Sequence, residues 1–225
     1  RRMAAAAAAA AMVLGAGQHV APARLGAQAE DALDVVKVRK NFYMMAGAGG
    51  NIGVQIGSDG IVLVNAGTAQ ASDRVLTELK KLTDLPIRYI INTDPERDFV
   101  GGNEKLSKGG FTIFTNALGN TGFVGSMTNG GAAAILAHES VLGRMTKENY
   151  PAAAAPTEAF YAPPTPLGMN AEGIEVLYHP GAHSGPDSFV LFRGSDVVVT
   201  GDVMDTTRFP VIDLANGGSI NGEID

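Results

Sequence analysis

Three carboxylates at alternate positions, Asp94, Glu96 and Asp98, stand in the stretch 92–103 that directly follows the apolar run Ile87-Arg88-Tyr89-Ile90-Ile91. Acids this close repel one another, so the cluster is costly unless a cation or the neighbouring Arg97 compensates it. A second polar stretch, 179–187, carries His179 and His183 among glycines and prolines, and a third opens with Gly201-Asp202 after the run 197–200. Together Asp94, Glu96, Asp98, His183 and Asp202 offer the oxygen and nitrogen donors that suit a divalent cation such as zinc, manganese or iron. An open position on such an ion would acidify water.

Other chemistries are excluded residue by residue. There is no cysteine, hence no disulfide, thiolate ligand or cysteine nucleophile. The cluster Gly47-Ala48-Gly49-Gly50-Asn51-Ile52-Gly53 has Ile52 where a dinucleotide fingerprint needs glycine, and a strand follows it instead of a helix. Neither a P-loop nor a G-x-S-x-G elbow occurs. A formal charge of −6 without a dense Lys/Arg run argues against a nucleic-acid partner. A small-molecule substrate is the partner expected.

The acids and histidines need elements to position them. Residues 51–57 and 61–64 read as two strands of a hairpin around Ser58-Asp59-Gly60. Val75, Leu76, Leu79 and Leu82 have helical spacing over 71–82, with Ser72 an eligible N-cap. Residues 87–91, 111–114, 132–136, 173–178, 188–192 and 197–200 read as strands and 141–147 as a helix. The stretch 92–102 reads as a loop. Residues 151–166 hold five of the 11 prolines and read as a surface crossing without regular structure. Phe42, Tyr43, Met44 and Met45 read as core or cleft-wall residues. Strands interleaved with helices predict a layered α/β arrangement in one domain.

Residues 1–29 differ from the rest. Arg1-Arg2, eight alanines from position 4 to 11, and a small-residue stretch ending Ala27-Gln28-Ala29 meet the requirements of an export signal cleaved after Ala29. The apolar run is well short of the roughly 20 residues that span a bilayer. The expectation is a periplasmic or secreted domain over 30–225, with 14 basic against 23 acidic residues, or −9. Residues 217–225 read as the start of another element, so the domain is expected to lack its last part.

The blocks 51–65, 87–103, 137–139 and 183–213 resemble the metallo-β-lactamase superfamily, most closely its exported, glyoxalase II-like hydrolases. The resemblance implies an αββα sandwich with a zinc site at one edge between two sheets. It also implies hydrolysis of a small ester, thioester, lactone or lactam by metal-activated water. The family's H-x-H-x-D-H signature falls on positions 94–99, where Asp94 and Glu96 replace its first two histidines and Phe99 replaces its last. Asp98, His183 and Asp202 match in kind, and Asp98 takes the place of the residue that orients water or accepts its proton. Asn65 stands where the family usually has a supporting aspartate. The carboxylate-rich set implies either one metal, shifted towards manganese or iron, or none. His138 reads as a helix cap and His179 as a neighbour of the site; His19 belongs to the signal. The competing expectation is a degenerate member that binds without catalysing.

Overall fold

A computed structural model of the chain describes residues 32–111, 124–125, 131–161, 165–206 and 208–225. The signal-like residues 1–29 and most of the strand expected at 111–114 lie outside them. The strands are β1 (Asp34–Lys37), β2 (Phe42–Ala48), β3 (Gly50–Gly57), β4 (Gly60–Val64), β5 (Ile87–Ile91), β6 (Val124–Gly125), β7 (Ala134–His138), β8 (Glu158–Phe160), β9 (Thr165–Met169), β10 (Glu172–Tyr178), β11 (Ser188–Phe192) and β12 (Val197–Val199). The helices are α1 (Ser72–Leu82), α2 (Arg97–Val100), α3 (Asn103–Lys108), α4 (Glu139–Lys147) and α5 (Ile220–Ile224).

Two sheets result, one of eight strands in the order β1-β2-β3-β4-β5-β7-β8-β6 and one of four in the order β12-β11-β10-β9. In the first, β4, β5, β7 and β8 run parallel, which demands covered faces on both sides. Their sequences supply that cover by strict alternation. Ile61 and Leu63 of β4, Ile90 of β5 and Ile135 of β7 pack with Val75 and Leu79 of α1 and Leu106 of α3. The intervening Val62, Val64, Tyr89, Ile91 and Leu136 pack with Ile174, Val176, Val190 and Phe192 of the second sheet. At about 1.5–3 kcal/mol for each large apolar side chain buried, these two clusters dominate the stability of the sandwich.

The expected hairpin is β3–β4, paired from Gly53↔Val64 to Gly57↔Gly60. Its turn is clasped to the β9–β10 turn of the other sheet. Asp59 N–H donates to Asn170 Oδ1 (2.8 Å), Asn170 N–H returns to Asp59 Oδ2 (2.6 Å), and Asn170 Nδ2 donates to Gln55 Oε1 (2.5 Å). Asn170 adopts φ 56°, a left-handed conformation that asparagine tolerates better than most residues.

Several elements differ from the expectation. The helix over 71–82 begins with Ser72 inside its first turn and Ala71 at the cap, because a short 3-10 turn at Ala69–Ala71 leads into it. The stretch 92–102 contains α2, and α3 follows. Phe99 O accepts Ala66 N–H (2.7 Å) and Gly67 O accepts Gly102 N–H (2.9 Å), holding this segment against the end of β4. A Cβ on Gly102 would lie 2.2 Å from Ala66 O, so only glycine permits that approach. Residues 151–166 are not structureless: they form a turn at Ala152–Ala154, strand β8 parallel to β7, and the start of β9. Of the described prolines here, Pro151 and Pro156 sit between these elements, and Pro166 lies in β9 at the edge of its sheet, where a missing N–H is tolerated.

Candidate active-site cleft

The three loops after β5, β10 and β12 meet at one end of the two sheets. Glu96, Asp98, His183 and Asp202 line a cleft of about 510 Å³, completed by Val211, Ile212, Asp213 and Leu214 of the segment 208–225. Asp94 is not among the lining residues. It lies beneath them, 1% exposed, with Oδ1 accepting Glu96 N–H (2.9 Å) and Oδ2 accepting the Thr93 hydroxyl (2.9 Å). Thr93 is itself held by Asn65, whose Nδ2 donates to Thr93 Oγ1 (3.0 Å) and whose Oδ1 accepts Thr93 N–H (3.0 Å). Gly201, at φ 60°, closes over this chain of bonds; a Cβ there would lie 2.6 Å from Thr93 Oγ1 and 3.3 Å from Asp94 Oδ2.

The imidazole of His183 is fixed in one tautomer. Its Nδ1 lies 2.6 Å from Val211 O, an acceptor only, so Nδ1 carries the proton. Nε2 therefore presents its lone pair, 3.8 Å from Asp202 Oδ2. Val211 is placed by backbone pairing between its segment and the loop 179–187: Asp213 N–H to His183 O (2.7 Å), Gly185 N–H to Asn216 O (2.9 Å) and Ser219 N–H to Gly181 O (2.8 Å). Gly218 and Gly222 make this possible, since a Cβ on either would fall 2.1 Å from a carbonyl of that loop.

The electrostatics follow from crowding. Burial pushes the Asp94 carboxyl up to about 8, against the pull of Glu96 N–H and the Thr93 hydroxyl and with the push of Asp202 and Asp187. Burial also lifts Asp202 to about 6, with His183 opposing and Asp98, Glu96 and Asp187 adding to the rise. Burial disfavours a charged His183, but the Val211 carbonyl and the charges of Asp202, Asp187 and Asp94 outweigh it and raise its pKa.

The compensating cation is not the one the sequence suggested. Arg97 turns away and lies over the Tyr150 ring, 4.3 Å from its centroid. Arg144 of α4 reaches Glu96 instead, with Nη2 at 2.9 Å from Oε1, and its Nε bonds Glu148 Oε1 at 2.8 Å. No motif around Arg144 marks it; only the unpaired charge of Glu96 signals that such a partner is needed.

These commitments bear on the metal expected from the donor types. Glu96 is tied to Arg144, both oxygens of Asp94 are hydrogen-bonded under the floor, and Phe99 is buried against Gly50. Among the described residues, no three His, Asp or Glu side chains are grouped so that they could share one ion. As arranged, the residues do not fit a divalent-metal centre.

The sequence matches no family model and no curated protein. Solved structures do match. The metallo-β-lactamase from Pontibacter korlensis superposes with a TM-score of 0.62 at 15% identity, over 83% of this chain and 79% of its own. The DIM-1 metallo-β-lactamase superposes at 0.61 with 14% identity, over 85% and 79%. The chain has the metallo-β-lactamase fold. A B3 metallo-β-lactamase described as having an active-site glutamic acid also matches, at 0.53 with 20% identity over 72% of this chain and 57% of that one.

Within the metallo-β-lactamase fold, the other two histidines among the described residues make ring contacts. His138 ends β7 and caps α4, Nδ1 accepting Ser140 N–H (3.2 Å), while its ring stacks on Tyr178. His179 stacks on Phe189, 4.9 Å between centroids. Among the described residues, no helix is long and apolar enough to cross a membrane.

Proposed function

We propose that this chain hydrolyses a small acyl substrate, an ester, thioester, lactone or lactam, in the cleft between the ends of the two sheets. The observation that carries the reading is the fixed tautomer of His183, which turns a basic Nε2 into the cleft beside Asp202. Nε2 takes a proton from water as the water oxygen bonds to the acyl carbon, and Asp202 stabilises the imidazolium that forms. The imidazolium returns that proton to the leaving oxygen, sulfur or nitrogen as its bond to the acyl carbon breaks. Asp98, on the same wall, orients the water. The signal-like residues 1–29 support a periplasmic or secreted setting for this activity.

A divalent metal, zinc by resemblance or manganese or iron by donor type, is the second reading. The carboxylates gathered at the cleft favour it, and so does the glutamic acid in the active site of the B3 relative in fold. It requires Glu96 to leave Arg144.

A panel of β-lactam, thioester and lactone substrates, assayed with chelator and with added Zn²⁺, Mn²⁺ or Fe²⁺, separates the readings. Turnover that survives chelation and disappears in His183→Gln supports the first. Turnover only with added metal supports the second. Saturable binding without turnover identifies a non-catalytic binding protein and overturns both.

A further inference from the structure

A carboxylate at position 96 faces a wall that already holds Asp98 and Asp202, with Asp213 on the adjoining segment. Crowded acids either take up protons or sit beside positive charge. Arg144 supplies it from a rigid base. Its helix is capped at the N-terminal end by His138, and Val141 and Met145 are buried against Ala137 and Val100. The guanidinium is held on two sides, by Glu96 at 2.9 Å and Glu148 at 2.8 Å, with its side chain only 15% exposed. Its third nitrogen, Nη1, is buried and without a hydrogen-bond partner among the described residues. The Asp213 carboxyl is held below its ordinary range first by its hydrogen bonds from Asn216, with a smaller pull from the Arg144 charge.

We propose that Arg144, from behind the cleft wall, holds Glu96 in a fixed ion pair and so keeps divalent ions from that carboxylate. A guanidinium is permanently charged and bonds a carboxylate directionally. It compensates Glu96 without further ligands, and it repels a second cation brought to the same carboxylate. Position 96, where the resemblance implies a metal-binding imidazole, carries an acid held in a fixed ion pair. The inference concerns metal binding and stands whether or not the chain hydrolyses anything.

Equilibrium dialysis of the whole protein against Mn²⁺ or Zn²⁺ alone, followed by metal analysis, tests it. The wild type is expected to retain well under one equivalent. Arg144→Gln, which frees Glu96, is expected to bind metal at least about tenfold more tightly than wild type. Arg144→Lys, which keeps the charge, stays at the wild-type level, and Arg144→Gln with Glu96→Gln loses the gain. Arg144→Met, which keeps the aliphatic stem, replaces the glutamine variant if that one does not fold. One tightly held equivalent in the wild type overturns the proposal whatever the variants do. So does a folded Arg144→Gln or Arg144→Met protein that binds no better than wild type.

Discussion

The imidazole of His138 lies flat on the ring of Tyr178, with centroids 3.6 Å apart and planes within 6°, joining the end of β7 in one sheet to the end of β10 in the other. The same imidazole meets Phe160 edge-on at 5.1 Å and caps α4. His138→Ala removes both cap and stack and is expected to cost roughly 2 kcal/mol, at about 1 for each. His138→Asn keeps a capping oxygen and should cost about half that. Burial lowers the His138 pKa from its ordinary 6.5, Glu139 opposing. Its contribution to stability is therefore complete above 6.5 and is lost as pH falls through the lowered value. Urea unfolding at pH 7.5 and 5.5 measures this; an unchanged pH slope in His138→Asn would contradict it.

Asp94 has the opposite dependence. Its carboxyl ionises near 8 in the fold and near 3.8 when exposed, so its contribution is full below 3.8 and is lost as pH rises through 8. Asp94→Asn keeps the acceptor for Glu96 N–H, can donate its amide to Thr93 Oγ1 while the Thr93 hydroxyl turns to Asn65 Oδ1, and removes the ionisation. The variant should match wild type near pH 4 and exceed it increasingly towards pH 8, by at most on the order of 5 kcal/mol. Thermal melts across that range decide it, and a variant less stable than wild type at pH 8 would count against the account.

The bonds from Asn65 through Thr93 to Asp94 predict a coupled pair. Asn65 already has φ 66°, a conformation aspartate also tolerates, so Asn65→Asp changes charge without straining the backbone. A second buried acid and a lost donor should cost roughly 2–3 kcal/mol or more. Combining Asn65→Asp with Asp94→Asn transposes the acid and should recover roughly 1–3 kcal/mol of the loss. Changes that simply add in denaturant unfolding of the four proteins would show the two sites to be uncoupled.

For activity, His183→Gln should lower kcat/KM roughly a hundredfold to ten-thousandfold. A base whose pKa is raised above 6.5 loses its lone pair as pH falls through that raised value, so the rate should decline there. Asp202→Asn removes one of the charges that raise it and should move this acid limb to lower pH. A pH–rate profile with an unmoved limb would exclude His183 as the base.

The layered fold was legible because apolar strand runs such as 61–64 and 87–91 are interleaved with helical stretches such as 71–82. Strands β1 and β2 were not, because Asp34–Lys37 is short and mostly exposed and Phe42–Ala48 is broken by a register shift before Gly47. The prolines around β8 concealed a strand whose three residues carry no pattern of their own. His183 and Asp202 could be brought together from their places after strands. The ion pair of Glu96 could not, since Arg144 lies 48 residues away on a helix whose surface looks like any other. The tautomer of His183 was equally hidden, because it depends on the carbonyl of Val211 and not on a side chain.

The clasp between Asp59 and Asn170 joins two turns 111 residues apart in the chain. Each turn forms locally, but the bonds between them need both sheets to be in place, so they close late. Contacts absent from the transition state set the lifetime of the native state and leave the speed of reaching it unchanged. Asp59→Ala should therefore steepen the escape from the folded state while the refolding rate stays the same, and slowed refolding would place the clasp in the nucleus instead. The two turns act as a latch, closing last and timing how long the sandwich holds.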